Sequence, residues 1–278
     1  MIPCLNPVTA GSRLRLPEFV SLAARAGFKA VDFSITAVAD LVKKQSLDKV
    51  KEIFAAANIK PGAFGLTVEW RKDEALFRQG LVDLAEKAKL AAAIGCKVCC
   101  GGIPPSVSTP REEFVKMMIE RFKGIAATLG AEGISFAIEF IGPQTSRKEP
   151  NVTVFDLNGC MEVVTAVGAA NAGVLLDSFH WHTAGCKWSD LDKVPPDMIK
   201  YVHVNDAPDK PLDKQQDMQR LLPGEGIIEL PRLLRSLQKK GYAGRISVEV
   251  FNNDLKKLDP DIAANAARVA LGKVLGKV

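Results

Sequence analysis

Residues 134–140 read ISFAIEF, and residues 173–177 read GVLLD. Each is a short apolar run interrupted or closed by one carboxylate. Runs this brief and this rich in Ile, Leu, Val and Phe read as strands covered on both faces, the condition of a parallel sheet. Working outward, similar segments recur along the whole chain. They are IPCLN from Ile2, AVDFS from Ala30, IKPGAFGL from Ile59, KVCCGG from Lys97, YVHVN from Tyr201 and ISVEVF from Ile246. From Ile2 to Ile246 the steps average about 35 residues, near the size of one strand–helix unit.

Helix patterns lie between these runs. Thr109-Pro110-Arg111-Glu112 has the form of a capping box with proline at the first helical position. Pro17 and the pair Asp259-Pro260 mark two more starts. Residues 73–94 carry Leu76, Leu81, Leu84, Ala88 and Ala91 at helical spacing, and Gly95 follows as a stop. Eight alternations fit either an open doubly wound sheet or a closed barrel. No GxGxxG follows an early strand and no GxxxxGK[ST] loop is present, so the closed α/β barrel is preferred. Only the polar connection from Ala207 to Gly226 is atypical, and no domain boundary is visible. Residues 1–278 are therefore read as one (β/α)8 barrel domain.

Composition narrows the function classes. The 278 residues are 47% hydrophobic and 25% charged, which excludes intrinsic disorder. The net charge of +5, from 37 basic and 32 acidic residues, is too weak to argue for nucleic acid. The N-terminus lacks a basic start followed by an apolar stretch, and no window offers a membrane span, so a cytoplasmic location is expected. Cys96 and Cys99 have a CxxC spacing, but no second pair exists, and Cys in an apolar run is ordinarily a reduced core residue.

In barrels of this kind the chemistry gathers at the C-terminal ends of the strands. Four consecutive late strands carry a polar group there: Glu139, Asp177, His203 and Glu249. A carboxylate in an apolar strand is costly unless paired or bound to a cation. No basic residue stands in the strands of Glu139 or Glu249, which favours a cation over core ion pairs. Three carboxylates and one imidazole suit one divalent ion. Mn²⁺, Mg²⁺ or Co²⁺ match best, Mn²⁺ being the expected ion, and Zn²⁺ or Fe²⁺ also fit. His180 follows Asp177 by three residues and is the better substrate contact of the pair His180 and His182. Arg220 opens RLLPGEG and offers a planar donor fork for substrate oxygens. Trp70 and Trp181 read equally as walls of a sugar pocket or as loop anchors.

Taken together, IEFIG, GVLLDSFHWH, YVHVNDA, RLLPGEG and SVEVF resemble the xylose-isomerase-like TIM-barrel group of sugar isomerases and epimerases. DSFHWH with the downstream RLLPGEG is most similar to the inosose-isomerase branch. The resemblance implies that Glu139, Asp177, His203 and Glu249 hold the metal, and that the two glutamates also move protons. It further implies that His180 and Arg220 contact substrate, and it allows a homo-oligomer. The ketohexose 3-epimerases carry another glutamate soon after the first ligand. Here that stretch reads IGPQTSR, which speaks against a free-ketohexose epimerase.

The expected activity is isomerisation or epimerisation of a ketose or keto-inositol through a metal-stabilised cis-enediolate, with Glu139 and Glu249 as acid and base. A lyase or dehydratase using the same enolate is the alternative. A three-zinc endonuclease on this fold needs many histidines, and the chain has 3. A small sugar or cyclitol is therefore the expected partner, with no nucleic acid and no membrane.

Overall fold

The computed structural model describes residues 1–278. Eight strands form the frame: β1 (Ile2–Leu5), β2 (Ala30–Phe33), β3 (Lys60–Gly65), β4 (Val98–Gly102), β5 (Ser135–Glu139), β6 (Ala172–Asp177), β7 (Ile199–Val204) and β8 (Arg245–Val248). All pair in parallel, and β1 pairs with β8 through Ile2↔Arg245 to Leu5↔Val248, closing the barrel. The single (β/α)8 barrel expected from the sequence is the observed architecture. No helix is long and apolar enough to cross a membrane.

The helices start and stop where local chemistry demands. Asp73 accepts a hydrogen bond from the Leu76 amide and opens the helix Glu74–Ala93. Gly27 ends Leu16–Ala26 with φ of 86°, a conformation that excludes most side chains. The capping box read at Thr109–Glu112 is a correction. The helix there is Arg111–Gly130 with Pro110 at its N-cap, and no side chain caps it. Pro110 holds φ at −52° and opens the helix without Thr109's help.

The main core lies between strands and helices, where alternate residues such as Val31, Phe64, Phe136, Val174 and Val202 meet the helical faces. Inside the barrel, Ala63, Val98, Ala137, Leu175 and Tyr201 form a small separate apolar layer. Two positions beyond Ala137, Leu175 and Tyr201 on the same inner face stand Glu139, Asp177 and His203, because the strand period is two. Asp177 pairs with His203 in register, and Glu139 lies beside Leu175. This register carries the four late-strand polar groups to one level at the barrel mouth.

Candidate metal centre

Glu139 ends β5, Asp177 ends β6, His203 lies in β7, and Glu249 follows β8 by one residue. One ligand atom from each lies within 4.8 Å of the others. From His203 Nδ1, Glu249 Oε2 is 3.1 Å away, Glu139 Oε1 3.6 Å and Asp177 Oδ2 3.8 Å. Ligands bound about 2.1 Å from one ion stand roughly 3 to 3.4 Å apart, so the Glu249 spacing fits as it stands and a shared ion would draw Glu139 and Asp177 in by a few tenths of an ångström. Glu139 Oε1 and His203 Nδ1 are buried with no hydrogen-bond partner in the protein. Orphaned polar atoms facing one space are what a missing cation would satisfy.

The charges agree. Burial by itself would raise the Asp177 carboxyl, but Arg220, His203 and the His180 backbone amide hold it down at about 2. Glu249 is likewise desolvated yet lowered, by His203 and then Arg220. Burial works against a charged His203, and the Glu249 and Glu139 carboxylates override it and raise the imidazole well above its usual range. Three carboxylates thus gather around one guanidinium and one imidazole, leaving room for a divalent charge.

Asp177 is positioned from both sides. Its Oδ1 accepts from the Phe179 and His180 amides, capping the helix Ser178–Thr183. Its Oδ2 accepts from Asn205 Nδ2 at 2.8 Å and Arg220 Nη1 at 2.9 Å. Arg220 comes from the polar connection after β7, not from a strand, and is 1% exposed. It also donates to Glu249 Oε2 at 3.1 Å, to Asp217 through Nε and Nη2, and to His180 Nε2 at 3.0 Å. The run ISVEVF holds no basic residue, and Arg245 at the far end of β8 makes no ion pair with Glu249, yet an ion pair forms. The partner arrives from a loop 29 residues away in sequence.

All five N–H hydrogens of Arg220 thus meet protein acceptors. Because a guanidinium only donates, His180 Nε2 accepts. The neutral His180 ring then carries its proton on Nδ1, which is buried and unpartnered. His182 is only half-buried and makes none of these contacts. Trp181 stacks on Trp188 at 4.5 Å and Trp70 packs on Phe122 at 4.9 Å, so both anchor loops. The Cys96 and Cys99 thiols are free, and burial pushes both up, Cys96 to about 11.

Sequence reasoning missed Asn6 and Asp32. Asp32, in β2, is buried and accepts from the Tyr201 hydroxyl, the Ser247 hydroxyl at 2.5 Å and the Ala63 amide at 2.8 Å. Its Oδ2 faces His203 Nε2 at 4.0 Å, on the side of the ring away from the cluster. Asn6 Nδ2 bridges Asp32 Oδ2 at 3.1 Å and Glu249 Oε1 at 3.2 Å. The available signal was a carboxylate inside the apolar run AVDF. Beside the cluster opens a cavity of about 320 Å³, bounded by Asn6, Phe33, Gly65, Gly102, Glu139 and Glu249 among others.

The profile of the family described as "Xylose isomerase-like TIM barrel" matches residues 20–271. The chain belongs to this family. Its curated relatives include the inosose isomerase of Halalkalibacterium halodurans, 29% identical over 99% of this chain and 96% of that protein. The inosose isomerase of Bacillus velezensis is 26% identical over 99% of this chain and 97% of its own. Among solved structures, a xylose isomerase domain protein from Alicyclobacillus acidocaldarius superposes with a TM-score of 0.93 at 28% identity, covering 100% and 99% of the two chains. The IOLI protein, crystallised with a bound zinc atom, gives 0.86 at 25% identity over 100% and 99%. The family and its full-length relatives bear out the isomerase class read from the sequence.

Proposed function

We propose that this chain is a divalent-metal-dependent isomerase of a keto-inositol, acting by proton transfer. One observation carries the reading: three carboxylates and an imidazole converge on one point, with Glu139 Oε1 and His203 Nδ1 unpartnered. Its extension to a cyclitol rests on the full-length likeness to inosose isomerases. Glu139, Asp177, His203 and Glu249 would hold the ion, with Mn²⁺ the expected occupant. When bound, it would draw electrons from a substrate carbonyl and its neighbouring hydroxyl and so acidify the carbon-bound proton.

The chain's own groups do the rest. Glu139, whose side chain accepts no hydrogen bond, takes a proton from the substrate carbon. Glu249 is tethered at both oxygens, Oε1 by Asn6 and Oε2 by Arg220. His203 and Arg220 favour its carboxylate form. It therefore takes up the proton that the neighbouring substrate hydroxyl loses and passes it to the former carbonyl oxygen, while Glu139 returns its own proton to the adjacent carbon. His180 offers its Nδ1–H to a substrate oxygen. Arg220 holds His180 Nε2, Asp177 and Glu249 in place and so orients the groups that meet the substrate. Six free cysteines accord with a reducing, cytoplasmic setting.

The test is incubation with Mn²⁺ and a panel of keto-inositols and ketohexoses in D₂O. Deuterium at the carbon next to the carbonyl, with an isomeric product, supports the reading. No exchange on any keto-inositol overturns it. A dehydratase is the second reading, favoured by 31% identity over 97 residues to the 3-dehydroshikimate dehydratase of Pseudomonas aeruginosa. That match spans 34% of this chain and 15% of that protein. Loss of one water from the product mass would select it.

A further inference from the structure

Gly65 ends β3 and Gly102 ends β4, and both border the cavity beside the metal centre. A glycine is ordinarily held in place by a left-handed backbone or by a close neighbour. Neither reason applies here. Neither residue has a positive φ. A Cβ added at Gly65 would meet nothing within 4 Å, and one at Gly102 would meet only Glu139 Oε2, at 4.0 Å. Two nearby glycines make the contrast. A Cβ at Gly62 would fall 2.4 Å from Asp32 Oδ1, and one at Gly101 would fall 2.8 Å from the Phe136 ring. Those two are glycine because the protein fills the space. At Gly65 and Gly102 nothing in the protein fills it, although glycine weakens a strand.

We propose that Gly65 and Gly102 form the wall against which one face of the substrate's carbon ring lies, and that they set specificity for a cyclic polyol ketone. The inference rests on the keto-inositol reading above and locates the ring within the site. A second cavity, of about 280 Å³, adjoins the first and shares Gly65 and Gly102 with it. The two glycines therefore stand where the open space runs on from Glu139. A rigid ring held at the metal centre extends over them and cannot fold away from an added methyl. At Gly102 that methyl would stand beside the Glu139 carboxylate, where the substrate's C–H must arrive. At Gly65 it would crowd only the body of the ring.

The experiment compares the Mn²⁺-loaded wild type with Gly65→Ala, Gly102→Ala and Gly101→Ala on a keto-inositol, with melting temperature and Mn²⁺ affinity measured for each. Gly65→Ala is expected to raise KM about tenfold or more, the scale of one methylene's worth of space, with kcat much less affected. Gly102→Ala is expected to lower kcat as well. Both should keep the wild-type Mn²⁺ affinity and melt no lower than the wild type, whereas Gly101→Ala should melt lower. KM within twofold of wild type in both cavity variants overturns the proposal. So does a melting loss in either that matches Gly101→Ala, since the glycine would then serve packing. A wild type inactive on every keto-inositol overturns the functional reading, and the ring wall with it.

Discussion

Arg220 and Asp177 form a buried ion pair, with 2.9 Å between Nη1 and Oδ2, inside a cluster whose remaining donors face a common centre. The same Nη1 reaches Glu249 Oε2 at 3.1 Å. In the ion-free protein this guanidinium opposes the charge that a divalent cation would otherwise balance.

Arg220→Gln should therefore destabilise the ion-free protein severely. Stranding the buried partners of an ion pair costs about 3–5 kcal/mol. A bound divalent ion would recover part of that loss by neutralising Asp177 and Glu249. Thermal melts should then show a larger Mn²⁺-induced rise in the variant than in the wild type. An equal or smaller rise would mean that Arg220 does not hold these ligands in solution.

The two glutamates should separate by stability while agreeing in activity. Glu139→Gln and Glu249→Gln should each cut kcat on the order of 10²–10⁴, the range for a lost proton-transfer group. Glu139 has no hydrogen-bond partner to lose, whereas Glu249 is bound by Asn6 and Arg220. Glu249→Gln should lower the melting temperature of the ion-free protein more than Glu139→Gln, which loses only its attraction to His203. Near-wild-type turnover in both variants would refute the mechanism.

Asn6→Ala releases Glu249 Oε1 while leaving all four candidate ligands in place. Loss of such an orienting partner typically costs 10–100-fold, so kcat should fall by about that much. Substrate KM should move less. Steady-state kinetics at saturating Mn²⁺ decide it, and unchanged kcat would leave Asn6 with no role in holding Glu249.

Protons and metal should compete for His203. In the ion-free protein its neighbours Glu249 and Glu139 raise the imidazole well above the usual value of about 6.5. A ring that holds its proton more tightly than usual must lose it to bind an ion. Mn²⁺ affinity should rise with pH through and above neutrality, and level off once the raised value is passed. Calorimetry in buffers of different ionisation enthalpy should register proton release on Mn²⁺ binding. Affinity independent of pH from 6 to 8 would contradict this account.

Much of the site was legible before folding. An acid or imidazole at the end of a strand otherwise made of Val, Ile, Leu and Phe stands out because its burial needs a reason. Glu139, Asp177, His203 and Glu249 all carry that mark. Asp32 carries it too, in AVDF, but sits among early strands where no neighbour repeats the pattern. Asn6 carries no mark, since an asparagine after a strand is an ordinary turn residue.

The sequence by itself determined the eight alternating units and the four polar strand ends, because both follow from periodicities a few residues long. Tertiary structure alone decided what surrounds them. Ring closure sets β1 against β8 and brings Asn6 to Glu249 across 243 residues. The connection after β7 folds inward and places Arg220 on Asp177, 43 residues away. Such contacts have no local signature: they exist because the barrel closes, and a buried charge takes whichever partner that closure brings within reach.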